Sequence, residues 1–417
     1  MLNTLARVPA LRVVARTSAF SFKESDAQAD SIGRALNVAH LVEGTVRQAG
    51  DRIRISARLI DADSGLQEWT ETYDRDLADV FEIQEDIARS VAFQLKARVG
   101  VFPQQGTNNP EAYALALRGR QLFEQGGDPR ETGPELVRLF ESALALDSTY
   151  AFAWAGLSQG HRLNAPSSDD EQTAMRRARV AAERALSLDP NEGWAHFALA
   201  QLLDAPEEKR HHYEQAIAVN PSDARSMGNL SFVLTFMGDL DDAARVAARA
   251  VSVDPLSADA LGYGSYTYAI AGRLSQSIEW ARESVALDPR FPLWTYNLTN
   301  VLAIDGQADE AIELIELAMD ENPQSNILAQ VAAYAYARGG RREDAEEILQ
   351  RMSGNHYLRG AVETALGSPD SAFAAIDRAI EVELAQLDEL AYDPWFKPLH
   401  VDPRWPGAAE RAAMVTE

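Results

Sequence analysis

The chain has 417 residues, 46% hydrophobic and 24% charged, with 39 Lys and Arg against 63 Asp and Glu for a net charge of −24. That length suits two domains or a repeat array, and the composition is that of a folded protein. The absence of cysteine excludes disulfides, zinc–thiolate sites, thiol catalysis and iron–sulfur clusters; no run of about 18 apolar residues is there to span a membrane; and so acidic a chain is a poor match for phosphate backbones, so no direct nucleic-acid binding is expected.

Residues 1–100 carry 13 basic and 15 acidic groups, 13 − 15 = −2, so the remaining −22 falls on the rest of the chain. Arg7, Arg12 and Arg16 precede the first acid, Glu24. That composition faintly suggests a transit peptide, without the continuous apolar core of a secretory signal; a strand is expected at Leu11–Ala15 and a short helix near Asp30–Asn37. In Arg52–Ile60, the residues Ile53, Ile55, Ala57 and Leu59 alternate with Arg52, Arg54, Ser56 and Arg58, a period of two that gives a strand with one buried face. An earlier strand at Leu41–Arg47 connects to it through residues 48–51. A later one at Leu66–Tyr73 connects through residues 61–65, completing an antiparallel meander. A helix from about Ala78 to Val99 carries Val80, Ile83, Ile87, Val91 and Leu95 on one stripe, and residues 101–110 read as a linker.

The stretch Asp61-Ala62-Asp63-Ser64-Gly65 has the look of a calcium loop. Counted from Asp61, however, position 5 is Gly65 and position 12 is Thr72, where an EF-hand needs an oxygen ligand and a glutamate. A turn between two strands explains the same residues, with Asp and Ser bonding local backbone and Gly taking positive φ.

Beyond residue 110 the chain repeats. Asp or Asn precedes Pro190, Pro221, Pro255, Pro289 and Pro323, at steps of 31, 34, 34 and 34. Gly238, Gly272, Gly306 and Gly340 keep the step of 34. Ala243, Ala311 and Ala345 lie five places after their glycines, and Ala216, Ala250 and Ala318 five before their prolines. Each unit therefore reads as helix, Gly-containing turn, helix. The small residues allow close helix approach, and the proline ends the second helix because it lacks an N–H to donate. No unit buries its own apolar face, so units must stack. The pattern resembles the tetratricopeptide repeat, with Trp194, Tyr268 and Tyr336 at that repeat's aromatic positions. About seven units are expected over residues 111–390, with a Pro- and aromatic-rich cap over 391–417.

Residues 43–88, from Glu43-Gly44-Thr45 through Trp69 to Glu85-Asp86-Ile87-Ala88, together with 12–23 and the tail near Tyr392–Phe396, resemble the TolB amino-terminal-like module that precedes tetratricopeptide repeats in bacterial proteins. The resemblance implies an N-terminal module lacking its first strand, with residues 1–12 the end of the helix that follows it, so that the N-terminal arginines belong to a helix end and a strand rather than a targeting signal. It implies association with a class III adenylate cyclase, winged-helix or kinase effector. The fold class expected is an α+β module, a mixed small sheet with an antiparallel meander and helices over 1–100, followed by an all-α tetratricopeptide-repeat superhelix.

No catalytic constellation, cofactor fingerprint or metal-ligand spacing is found. The histidines are scattered, and the adjacent His211 and His212 read as a solvated helix surface. The row Arg47, Arg52, Arg54 and Arg58 reads as pairing with Glu43, Glu68 and Glu71 rather than as an anion site. The functional surface expected is the concave face of the array, where a protein or peptide partner would meet Phe232, Tyr266, Asn300 and Tyr334, each 34 apart, with Tyr296 beside them. The same residues would serve equally as inter-helix core. A non-catalytic signalling scaffold is the reading; the alternative is the regulatory half of a class III adenylate cyclase or winged-helix regulator whose effector domain lies outside this chain. The expected compartment is the cytoplasm, or the periplasm if the true N-terminus is missing. Oligomeric state is left open.

Overall fold

The structure, a computed structural model, describes residues 5–6, 11–23, 25–50, 52–76, 80–95, 106–126, 128–167, 170–382, 387 and 390–416. It begins with α1 (Arg16–Phe20), α2 (Ala29–Leu36), the strands β1 (His40–Ala49), β2 (Arg52–Asp61) and β3 (Gln67–Asp76), and α3 (Val80–Gln94). The strands form one sheet in the order β1-β2-β3, antiparallel throughout among the described residues rather than mixed. Alternation in β2 buries Ile53, Ile55, Ala57 and Leu59 and exposes Arg52, Arg54 and Arg58. Ile83, Ile87, Ala88 and Val91 of α3 close over that buried face with Tyr73. An irregularity at Leu59/Ile60 accompanies a second small core, in which Ile60, Leu41 and Ala62 pack under Ile32 and Val38.

Leu11–Ala15 is not a strand. The Ala15 N–H donates to the Val253 carbonyl at 2.8 Å, and the Val13 carbonyl accepts from Ser222 Oγ at 2.7 Å. Two backbone groups that could pair in a sheet are thus taken by the end of α11 and by the turn after α9. The helix end expected at residues 1–12, the outer turns of the expected Ala78–Val99 helix and much of the 101–110 linker lie largely outside the described residues.

Helix pairs follow. They are α4 (Pro110–Gln125) with α5 (Pro129–Leu146), α6 (Ala151–Asn164) with α7 (Glu171–Leu188), α8 (Gly193–Ala200) with α9 (Pro206–Val219), and α10 (Ala224–Phe236) with α11 (Leu240–Val253). Then come α12 (Ala258–Ile270) with α13 (Leu274–Leu287), α14 (Pro292–Asp305) with α15 (Ala308–Glu321), α16 (Asn326–Arg338) with α17 (Arg342–Arg351), and α18 (His356–Ala365) with α19 (Pro369–Val382). A 3-10 stretch at Pro394–Val401 and α20 (Trp405–Thr416) end the chain. The eight pairs among the described residues are one more than the spacing suggests. The fold is thus an α+β module followed by an all-α helix-pair array of the tetratricopeptide type.

The sequence landmarks have physical work to do. Gly238, Gly272, Gly306 and Gly340 take φ of 78°, 74°, 90° and 74°. At each, the N–H of the next residue reaches the carbonyl five places back at 2.8–2.9 Å, satisfying a helix-end acceptor as in a Schellman cap. Helices α7, α9, α11, α13 and α15 each stop two residues before their proline, because the residue ahead of Pro is disfavoured in the helical region. Ala243, Ala311 and Ala345 are fully buried where paired helices approach. In α13 the equivalent places are Ser277 and Ser284, also fully buried. Their hydroxyls donate to the Ser265 and Ala258 carbonyls at 2.7 and 2.9 Å, so the polar atoms are satisfied inside the interface.

By packing, the chain divides into two compact units, residues 1–230 with 252–256, and residues 231–251 with 257–417. The division falls inside α10. No helix among the described residues is long and apolar enough to cross a membrane.

Candidate functional site

The 34-residue step places Phe232, Tyr266, Asn300 and Tyr334 on the first helices α10, α12, α14 and α16 of successive pairs. They form two local groups. Phe232 and Tyr266 are half-buried with ring centroids 5.4 Å apart, and Phe232 also meets Phe236 at 4.4 Å. Asn300 and Tyr334 are 7% and 2% exposed, and both touch Trp395. The indole N–H donates to Asn300 Oδ1 at 2.6 Å, and the indole stacks on the Tyr334 ring at 4.7 Å and 19°. Tyr296 is half-buried and packs against the core of the second unit.

The residues covering these positions come from the chain's own C-terminal segment. Asp393 caps the 3-10 stretch, accepting from the Trp395 N–H at 2.9 Å. Its other oxygen accepts from the Tyr357 hydroxyl at 2.8 Å. Burial pushes the Asp393 carboxyl up to about 6, against the opposing pull of those two hydrogen bonds. Phe396 is fully buried, edge-on to Tyr357 at 5.1 Å and close against Gly360, where a Cβ would come within 3.3 Å of its ring. At the other end Tyr392 lies against Gly238, where a Cβ would meet its ring at 3.2 Å. Thr235, Phe236, Tyr266 and Ile270 line a small cavity closed by Tyr392 and Asp393. Residues 392–396 therefore cross five successive first helices, from α10 to α18, and run in the same direction as the repeats. Of the tail expected as a cap over the last helix, Arg404 lies on α19, with Asp370 at 2.8 Å and the Phe373 ring at 4.2 Å, while residues 392–396 lie along the face where a partner was expected.

Trp395, Asp393 and Tyr357 are the site residues that sequence reasoning misses. The tail's spacing of Tyr, Asp-Pro and Trp is visible, but the tail has no periodicity to assign it a place on the array.

The other candidates resolve into local pairings. Arg52 reaches Asp74 at 2.6 Å, Arg54 Nε reaches the same carboxylate at 3.0 Å, and Arg58 Nε reaches Glu43 at 2.9 Å. Asp74 thus takes the part expected of Glu68 and Glu71. Asp61 Oδ1 accepts from the Ser64 N–H and hydroxyl at 2.8 and 2.6 Å, and Gly65 has φ of 68°, which is turn chemistry. His40, Asp61 and Glu68 bring three ligand atoms within 4.8 Å of one another at that end of the sheet. They are the residues that could hold a metal ion there, although His40 and Glu68 also form a 3.5 Å contact of their own. His212 does not lie on a merely solvated surface. Its Nδ1 is 2.9 Å from His196 Nδ1, and His196 Nε2 is 2.9 Å from the Pro190 carbonyl.

No family model matches the chain. A Rhizobium meliloti (strain 1021) protein carrying the provisional name adenylate cyclase 3 is 31% identical over 214 residues, 49% of this chain. The chain spans 35% of that relative's length. A tetratricopeptide repeat protein from Parabacteroides merdae superposes with a TM-score of 0.41 at 13% identity, covering 63% of this chain and 100% of the other. The Pseudomonas aeruginosa protein pilF does so with a TM-score of 0.36 at 16% identity, covering 60% and 98%.

Proposed function

We propose that the chain is a non-catalytic interaction scaffold of bacterial signalling type. A protein or peptide partner binds the face made by the first helices of the array, which would be its concave side, at Phe232, Tyr266, Tyr296, Asn300 and Tyr334. The observation that carries this reading is Trp395 seated on Asn300 and Tyr334. That face already holds a protein segment, the start of the 3-10 stretch, through one amide and one aromatic ring, the chemistry by which peptides are held. Alanine at both Phe232 and Tyr266 should lower capture of a cross-linked partner at least tenfold while the helical circular dichroism and the melt stay unchanged. Unchanged capture would refute the groove.

A second reading is favoured by the 31% identity to a protein with a cyclase name. In it the chain is the regulatory half of a class III adenylate cyclase or winged-helix regulator. Adding the purified chain to a cyclase catalytic domain and following cyclic AMP tests this. Cyclic AMP made by the chain alone would instead overturn the non-catalytic reading.

A further inference from the structure

We propose that residues 392–396 are an internal occupant of the partner groove, and that the partner displacing them is a protein segment of the same chemistry and the same capped 3-10 turn: an aromatic residue, then a carboxylate, then a tryptophan two places on. The proposal rests on the groove reading above and adds to it the identity of the ligand class and a competition between tail and partner.

The chemistry is read group by group. Asn300 is buried, and its Oδ1 meets the indole N–H at 2.6 Å. A side chain without a donor would leave that acceptor desolvated and unpaired, so the position discriminates for tryptophan over phenylalanine. Tyr334 offers a flat face to the same indole, which an aliphatic side chain cannot match. The Tyr357 hydroxyl donates to the carboxylate of Asp393, fixing an acid two residues before the tryptophan. Tyr392 sits where the glycine of the α10–α11 turn leaves room.

The periodicity of the array puts the tail's partners in one register, although Tyr334, Trp395 and Phe396 are also buried in the core of the second unit. Asn300 and Tyr334 occupy the register of Phe232 and Tyr266. Tyr266 shares its cavity with Tyr392 and Asp393. A segment that engages all four positions must therefore take the place of the tail. The tail is held at this face by two hydrogen bonds between side chains, one ring stack and one edge contact, together with the burial of Trp395, Phe396 and Leu399. Such a set is exchangeable one-for-one with an equivalent external segment.

A fluorescent peptide of residues 390–401 tests this by anisotropy against the full chain and its full-length Trp395→Ala variant. The variant should bind the peptide at least tenfold more tightly than wild type. A peptide with alanine in place of the tryptophan should lose that binding, and Asn300→Ala added to Trp395→Ala should weaken it at least fivefold. If Trp395→Ala disturbs the melt, Trp395→Phe keeps an aromatic ring on Tyr334 while removing the N–H and part of the indole, and should show an intermediate gain. In wild type, saturating isotope-labelled peptide should speed amide exchange in residues 394–401 and leave α12 unchanged. Equal peptide affinity across all three chains, or unaltered exchange of the tail, overturns the proposal. Partner capture that is lost in Phe232→Ala but no stronger in Trp395→Ala overturns the internal occupant alone and leaves the groove reading standing. Capture insensitive to both refutes the groove reading itself.

Discussion

Trp395 donates its indole N–H to Asn300 at 2.6 Å across 95 residues of chain, and both residues are buried. Removing the amide strands a desolvated donor, whereas removing donor and acceptor together does not. Asn300→Ala should cost about 1–3 kcal/mol in urea unfolding of the second unit. The double variant Asn300→Ala/Trp395→Phe should cost less than the two single changes added together, because each removes the same bond. Strict additivity would mean that the bond contributes nothing.

Asp393 makes the docked tail pH-sensitive. Its carboxyl is pushed up to about 6 by burial, from an ordinary value of 3.8. The folded state therefore holds the proton more tightly than the unfolded chain does. The group's favourable contribution is full below about 3.8 and is lost as pH rises from there through about 6. Asp393→Asn retains a carbonyl for the Trp395 N–H and cannot titrate. The difference in unfolding free energy between variant and wild type should change by on the order of 1–3 kcal/mol between about pH 4 and 7, in the variant's favour at the higher pH. Parallel pH profiles would rule this out.

The His196–His212 pair acts in the opposite direction. Burial lowers both rings first, and the charge of the neighbouring histidines adds to it, taking His212 to about 4. With His196 Nε2 donating to the Pro190 carbonyl, its Nδ1 must accept, so His212 Nδ1 donates; the bond needs His196 neutral, and burial disfavours charge on His212 as well. Its contribution is full above about 6.5 and is lost as pH falls from there toward about 4. His212→Gln keeps a donor without the titration. It should flatten the acid limb of the first unit's stability profile by about 1–2 kcal/mol. An acid limb identical to wild type would refute the pairing.

These two sites differ in how much of them could be read from sequence. The helix-pair array was legible because its turns demand positive φ, and glycine at a step of 34 records that demand residue by residue. The meander was legible from the alternation in β2. Leu11–Ala15 was not, since an extended segment looks the same whether its backbone pairs with a strand or with Val253 and Ser222. His212 was obscured by its neighbour: adjacency in sequence drew attention to His211, while the actual partner, His196, stands on another helix. The groove positions Phe232, Tyr266, Asn300 and Tyr334 follow from the period, but what lies against Asn300 and Tyr334 does not. A tail with no periodicity carries no register, and only the packed structure shows Trp395 there.

A last expectation sets packing against helix propensity. Gly262 lies inside α12, where glycine-to-alanine should gain about 1 kcal/mol on propensity alone. A Cβ there would stand 2.2 Å from the Trp294 ring. Trp294 is 1% exposed, flanked by Tyr263 and Phe291 with centroids at 5.7 and 5.1 Å, and has nowhere to move. Gly306, at the end of α14, has open space around its missing Cβ but φ of 90°. Alanine there meets only backbone strain of about 1–2 kcal/mol. Gly262→Ala should therefore be the more damaging change, losing about 1–3 kcal/mol net in urea unfolding. A Gly262→Ala protein as stable as wild type would show that the Trp294 pocket is looser than the contact distances require.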